Sequence, residues 1–519
     1  MARKWWTLTA VAAGVFILVL DITIVNVALP DIGRAFGSPL ADLQWVIDAY
    51  ALALAAGLLT AGSLADLWGR RRLYVAGIAV FTAGSLLCGL ATGPLFLSLA
   101  RAGQGIGGAV VFATSLALLG DAFRGRDRGM AFGIYGAVLG LGAAVGPVLG
   151  GVIVSGLGWQ WIFFVNVPVG AVTIAVTAAR VAESKDPAAA RLDWLGFLTF
   201  TSALGLLIYG LISSAGGWSQ PRVYASLAGA AVLLAAFLSA EVAQRRPMLD
   251  LALFRKPTFT GGLIAAFGLN ASVYSLFTYL VLYLQQQLGY SAAQTGVRFL
   301  ALTAAMFLTS TVAGRMTGTV PARAMIGVGF LVIGAGILLM YGLSTSTSWT
   351  HLLPGLIVAG AGTGMVTVPL ASTAVGVVDI SRAGMASGIN ATARQVGLAA
   401  GIAVLGAIFT ARLRNTVAGQ LHGTALATQA RHIASSASVT AGPGHALPSG
   451  LTPAAAKLIS HAARAGFIDG LNLILLIGAG VAFASALLVL TLIRRRDFVA
   501  PPATSHDSPR PAAPAAGRT

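Results

Sequence analysis

The sequence predicts an all-α polytopic membrane protein with fourteen transmembrane spans, and three observations carry that reading. First, 57% of its 519 residues are hydrophobic and only 9% are charged, with a mean hydropathy of +0.84. A soluble chain of this length cannot hide so much apolar surface. Second, the apolar stretches are long and nearly unbroken, unlike the short alternating segments of a β-barrel. Third, the basic residues gather in short links between those stretches. The formal charge of +17 therefore records membrane topology, and no nucleic-acid partner is expected. One cysteine, Cys88, excludes an internal disulfide framework and a cysteine-based metal site. Four Lys against 29 Arg, with abundant Ala and Gly, points to a high-GC bacterial genome, and hence to the bacterial cytoplasmic membrane.

A window of about 20 residues places spans at 7–29, 43–64, 73–92, 95–119, 129–155 and 160–180, then at 194–213 and 222–241. The others lie at 258–285, 294–314, 324–343, 352–377, 384–410 and 467–493. The opening "MARKWW" and its apolar run resemble a signal peptide, but the run is too long and more than a dozen spans follow. It reads as an uncleaved first helix.

An even number of spans puts both termini on one side. With the N-terminus inside, the inner links hold Arg70, Arg71, Arg72, Arg124, Arg126, Arg128, Arg180, Lys185, Arg191, Arg245, Arg246, Arg255, Lys256, Arg315, Arg323 and Arg382. The short outer links hold Arg34 and Arg222. Both termini are therefore expected in the cytoplasm. The most polar inner links, 181–193 and 242–257, divide the spans as six, two and six. This gives an N-terminal bundle (1–182), a linker carrying two inserted helices (183–257), a C-terminal bundle (258–496) and a disordered tail (497–519). Residues 412–466, rich in Ala, Ser, Thr, Gly and His, read as a long mobile outer loop. "RAGQG" around Arg101 is echoed by "ARQVG" around Arg394, as expected of repeated halves in a transporter.

Three charges on nearby spans of the first half share one depth inside the apolar runs. Asp21 lies roughly 13 Å below Pro30, Asp48 roughly 9 Å into the second span and Arg101 roughly 10 Å beyond Pro94, all counted from the outer side. A charge at that depth costs at least about 2.5 kcal/mol, which mutual pairing relieves. A static ion pair needs one acid. The second leaves a carboxylate free to take up and release protons, so Asp21, Asp48 and Arg101 form a candidate proton-coupling set.

Five stretches sharpen this: "LDITIVNVALP" (20–30), "GSLADLWGRRR" (62–72), "LSLARAGQGIGG" (97–108), "GAAVGPVLGG" (142–151) and "WQWIFFVNVPVG" (159–170). Together with "GMASGINATARQVGLAAGIAVLGA" (384–407), they resemble the major facilitator superfamily, and within it the fourteen-spanner drug:proton antiporters of the EmrB/QacA type. The resemblance covers residues 1 to about 493. It implies two six-helix bundles, with two inserted helices, that rock around a central cavity. It also implies a gate at Gly62, Asp66, Gly69, Arg70 and Arg71, with Asp66 facing the start of the thirteenth helix and the arginines engaging Asp121 or lipid phosphates. Leu67 and Gln160 stand where the family often has Arg. Gly142, Gly146, Pro147, Gly150 and Gly151 match the helix associated with antiporters, which implies export. The glycines recur at i, i+4 and i+8, so neighbouring helices can approach closely, and Pro147 introduces a kink.

Sparse polar groups beside aromatics suit amphipathic cargo. The candidate lining residues are Gln104, Asn270, Tyr274, Tyr279, Asn390 and Arg394. Gly103, Gly105 and Gly108 match G-x-G-x-x-G, but they lie in an apolar helix without a preceding strand and are not a dinucleotide site. The six histidines lack ligand spacing, and neither a P-loop nor a nucleophile elbow appears. No cofactor, metal or catalytic activity is expected. The expected function is a monomeric secondary exporter of small amphipathic drugs or antibiotics, exchanged for protons. The alternatives are a dedicated exporter or importer of one endogenous metabolite, or a transport-dead sensor on the same fold.

Overall fold

In hydrocarbon every backbone N–H and C=O must be bonded within its own segment, so each apolar run is driven to be helical. The computed structural model describes residues 3–37, 40–185, 194–214, 218–244, 251–317, 319–378, 383–422 and 453–498. The expected link segments 186–193 and 245–250, the loop stretch 423–452 and the tail beyond 498 lie outside the described residues. So do Arg191, Arg245, Arg246 and Arg382.

The N-terminal half comprises α1 (Arg3–Phe36), α2 (Leu40–Trp68), α3 (Arg70–Gly89), α4 (Pro94–Ala122), α5 (Gly125–Leu157) and α6 (Trp161–Arg180). Two further helices follow, α7 (Trp194–Ser213) and α8 (Pro221–Ala243). The second half comprises α9 (Pro257–Gln287), α10 (Ala292–Met316), α11 (Ala322–Leu339), α12 (Leu352–Gly376), α13 (Ala383–Leu421) and α14 (Pro453–Leu492). Twelve of these are long and apolar enough to cross a membrane, or thirteen with α2, which bends by 51° between Trp45–Leu58 and Thr60–Trp68. The remaining helix, α5, has 33 residues and is thus about 50 Å long.

Several helices outrun their apolar windows. The segment 412–466, expected as a loop, continues α13 to Leu421 and opens α14 at Pro453. Leu413, Val417 and Leu421 recur every four residues, are buried, and pack with Ile459 and Ala462. Asp469 ties the pair, with Arg412 Nε at 2.7 Å and the Thr416 hydroxyl donating to its carboxylate at 2.7 Å. That also gives Asp469 a structural explanation.

Lipid supplies no hydrophobic drive between helices, so the halves join where small residues let backbones meet. On α5, a Cβ at Gly129 would strike the carbonyl of Gly314 in α10, and one at Gly133 would lie 3.2 Å from the Ser310 carbonyl. Gly136 and Gly140 continue this face towards Thr367 and Met306. The α7–α8 hairpin lies along the other seam. Leu204 and Ile208 pack with Ala55 of α2, while Val396 and Ala399 of α13 border the same cluster. The Thr60 and Thr201 hydroxyls lie 3.0 Å apart, and Trp45 stacks on Tyr209 with ring centroids 6.0 Å apart.

Candidate functional site

Four helices of the first half converge on Asp21, which is fully buried with Arg101. Arg101 Nη1 donates to Asp21 Oδ2 in an ion pair. Gln104 Nε2 and Asn166 Nδ2 donate to Oδ1 at 2.9 and 3.0 Å. Arg101 and Gln104 are one turn apart on α4, so the arginine also donates to Gln104 Oε1 at 2.8 Å. Its Nε reaches across to the Val46 carbonyl of α2 at 3.1 Å, and its guanidinium covers the Tyr50 ring at 4.1 Å. Asn166 is held in turn by Ser85 Oγ at 3.0 Å. Charge-assisted bonds of this kind are about twice as strong as neutral ones. Because every Asp21 donor comes from another helix, the carboxylate reports their relative positions.

Asp48 is the second acid of the expected three-charge set, and it stands outside the ion pair. It is half-buried on α2 and makes no hydrogen bond or ion pair with a described residue. Shared depth along a helix does not fix the direction in which a side chain points. The acid and base that meet are Asp21 and Arg101.

The gate residues lie on the face that carries the termini, where α2 gives way to α3. Gly69 sits between them at φ +107°, a left-handed conformation open to glycine. Arg70 Nη2 and Nε donate to Asp66 Oδ1 at 2.9 and 3.1 Å, both residues buried. The other carboxylate oxygen, Oδ2, accepts the backbone N–H of Met385 at 2.9 Å, in the first turn of α13. An anion is favoured at that position by the helix dipole. Asp66 thus bridges the halves directly. Arg71 and Arg72 engage Glu183 rather than Asp121, at 3.8 and 3.7 Å, and their backbone N–H groups also donate to its carboxylate. Glu183, from the link after α6, caps the start of α3, where its charge satisfies orphan amides. Asp121 has no hydrogen-bond or ion-pair partner among the described residues. Gly62 lies within α2, about one turn before Asp66.

On α5, Gly142 and Gly146 turn towards α1. A Cβ at Gly142 would lie 3.1 Å from Val19 Cβ, and one at Gly146 would collide with the Thr23 hydroxyl. Gly150 is buried and Gly151 half-buried further along; the side chain of Pro147 lies outside the described set. The two glycine faces of α5 therefore serve different partners, α10 across the halves and α1 beside Asp21.

In the second half, Ser387, Asn390 and Arg394 share one face of α13 at i, i+3 and i+7. Arg394 Nε donates to Asn390 Oδ1 at 3.1 Å. Asn270 opens a π-turn in α9 (Asn270–Tyr274) and donates to the Ala266 carbonyl at 2.9 Å. Tyr274 closes that turn within electrostatic reach of Arg394, as does Tyr135 of α5. Tyr279 leaves the candidate lining: its hydroxyl donates to the Ile402 carbonyl at 3.0 Å, and its ring packs on Phe409.

A profile of the Major Facilitator Superfamily matches residues 11–402. The chain belongs to that superfamily. It is 36% identical over 478 residues to the Multidrug resistance protein Stp of Mycobacterium tuberculosis, covering 91% of this chain and 88% of that protein. It is also 36% identical over 428 residues to the Puromycin resistance protein pur8 of Streptomyces alboniger, with 81% and 84% covered. Among solved structures, the proton:xylose symporter XylE aligns with a TM-score of 0.62 at 12% identity, covering 95% of this chain and 96% of that one. That likeness shows the superfamily fold alone. The protein is a multi-pass membrane transporter and not an enzyme.

Within this superfamily member, sequence reasoning missed Asn166, Ser85 and Glu183. Asn166 had a signal: it is an amide inside the apolar run after "WQWIFFV", where an unpaired polar group is expensive. Glu183 had a weaker one, as the first acid after α6.

The Asp66 bridge yields a prediction. Asp66→Asn keeps an oxygen for Met385 N–H but loses the charge that Arg70 and the helix dipole stabilise. The maximal transport rate is expected to change by roughly three- to tenfold, equivalent to the ~1 kcal/mol of a dipole contact, with cargo affinity unchanged. Weakened binding at an unchanged rate would contradict a gating role.

Proposed function

We propose that the chain is a proton-coupled exporter of amphipathic drugs or antibiotics, working by alternating access in the bacterial cytoplasmic membrane with both termini inside. The observation that carries this reading is the buried Asp21 carboxylate, ionised against Arg101 and held by Gln104 and Asn166. An ionisable group in a membrane interior is a functional site by default. Here its geometry couples chemistry to shape. A proton taken up on Oδ2, which accepts one hydrogen bond, cancels the charge that holds Arg101 and so weakens the grip on its guanidinium. Arg101 also holds the Val46 carbonyl of α2, so its release loosens α2.

The far end of that same helix carries Asp66, 20 residues after Val46 and on the order of 30 Å away along the helix. There it accepts from the start of α13 in the other half. Protonation beside one end of α2 and the inter-half bridge at the other thus act on one helix, with its bend between them. In that cycle this arrangement is the one closed towards the termini, because the α5–α10 and Asp66–Met385 contacts lie at that end. The resistance proteins that the chain resembles support drugs as the cargo class.

The test is transport in proteoliposomes with an imposed pH gradient, their orientation fixed by labelling a cysteine introduced at exposed Ser346 from the side opposite the termini. Cargo should accumulate against its gradient only while the pH gradient lasts, and a protonophore should abolish accumulation. Flux that is indifferent to the pH gradient would refute proton coupling.

A further inference from the structure

Resting on the exporter reading, we infer that the cargo site is built for amphipathic anions: aromatic molecules bearing a carboxylate, phenolate or similar acidic group. The observation is a cation with donors to spare. Arg394 lies eleven residues into α13, roughly 16 Å from its start, close to the bilayer midplane where transporter sites form. Its Nη2 is buried without a hydrogen-bond partner among the described residues, and so are Asn390 Nδ2 and Ser387 Oγ on the same face. No ion pair joins Arg394 to a described carboxylate.

The composition explains why none does. From Pro257 to Leu492 the sequence has two acids, Asp379 and Asp469. Asp469 is taken by Arg412 near the opposite end of α13, while Asp379 lies outside the described residues, just before that helix begins. Arg101 in the first half shows what a satisfied membrane arginine looks like: an acid, a carbonyl, an amide oxygen and an aromatic ring. Arg394 has the amide oxygen and two tyrosines within reach, one from each half, but lacks the acid.

The local build holds this opening in place. Gly397 and Gly401 follow on the same stripe, and a Cβ at either would strike α9, at Phe267 and Ser275. That close approach holds the π-turn of α9 against α13, with Tyr274 in electrostatic range of Arg394. A guanidinium fork with a spare N–H and an adjacent amide N–H, with two phenols in electrostatic range, matches a planar acidic aromatic. A cationic drug would meet like charge at Arg394, with no described carboxylate paired there to receive it.

The experiment measures binding to purified protein with two fluorescent probes on one tricyclic scaffold: fluorescein, an anion, and tetramethylrhodamine methyl ester, a cation. Wild type should bind fluorescein at least tenfold more tightly than the cation. Arg394→Gln should lose roughly tenfold or more in fluorescein affinity, the scale of a lost hydrogen bond to a charged group, without weakening the cation. Arg394→Lys, which keeps the charge but not the fork, should fall between. Asn390→Ala should lose roughly fivefold by the same reasoning, and carries the test if Arg394→Gln does not insert. A wild type that prefers the cation, or fluorescein binding unchanged in Arg394→Gln or Asn390→Ala, overturns the inference. Selective anion binding without proton-driven accumulation would uphold it and sink the exporter reading; proton-driven export of the cation alone would do the reverse.

Discussion

Gly146→Leu is expected to reduce export to below about a tenth of wild type while the protein still inserts into the membrane. The reason lies in the α1–α5 contact. A Cβ at Gly146 would collide with the Thr23 hydroxyl and lie 2.8 Å from Thr23 Cβ, so three further carbons leave α1 no choice but to move. Thr23 has little room to yield, since its hydroxyl donates to the carbonyls of Val19 and Leu20 at 3.1 and 3.0 Å. Overpacking of this kind usually costs about 1–3 kcal/mol, which a large membrane bundle survives. Function is more sensitive, because Asp21 lies two residues before Thr23 and its donors stand on α4 and α6. A displacement of about 1 Å stretches all three bonds beyond good geometry. Gly156→Leu is the control, as nothing lies within 4 Å of a Cβ there, and its export should stay within about twofold of wild type, as surface substitutions do. Resistance measured in a pump-deficient bacterium, alongside membrane yield, decides the matter. Normal resistance with Gly146→Leu would mean that the α1–α5 contact has no part in the cycle.

What the sequence revealed, and what it hid, follows from the kind of information each feature carries. Hydropathy marks where a helix enters hydrocarbon and not where it ends, so α1 runs on to Phe36 and α13 to Leu421, past their apolar windows. The Asp21–Arg101 pair was legible because two opposite charges at one depth have few other partners. Asp48 shares that depth without joining the ion pair, because a helix turns by about 100° per residue and depth says nothing of direction. Asp66 could be set against α13 through the resemblance and the helix dipole together. Glu183 was only weakly marked, as the first acid after α6, since which acid in a polar link folds back on Arg71 and Arg72 depends on tertiary path. Neutral groups were hardest to see: Asn166 and Ser85 complete the Asp21 site without altering the charge pattern.

Arg101→Ala should abolish proton coupling and also lower the amount of folded protein, and Asp21→Asn should restore folding in that background without restoring transport. Removing one partner of a buried pair is destabilising by about 3–5 kcal/mol, because the other charge is left uncompensated. In Arg101→Ala, Asp21 keeps only the two amide donors Gln104 and Asn166, neither of which carries charge. It must then either draw a proton permanently or distort the helices around it. Adding Asp21→Asn removes the stranded charge and leaves an amide oxygen for the same two donors, so membrane yield and thermal stability should recover by a large part of the loss. Asp21→Asn alone should fold better than Arg101→Ala alone, since Arg101 retains the Val46 carbonyl, Gln104 Oε1 and the Tyr50 ring. All three variants lack an exchangeable proton held against a counter-charge, so none should accumulate cargo when a pH gradient is imposed on proteoliposomes. The cycle of single and double variants separates the two effects: stability should be strongly non-additive, as expected for groups in one network, whereas coupling should be zero throughout. Proton-driven accumulation by Asp21→Asn at the wild-type rate would return the carboxylate to a purely structural role, and folding of Arg101→Ala at wild-type yield would show that Asp21 never needed its partner.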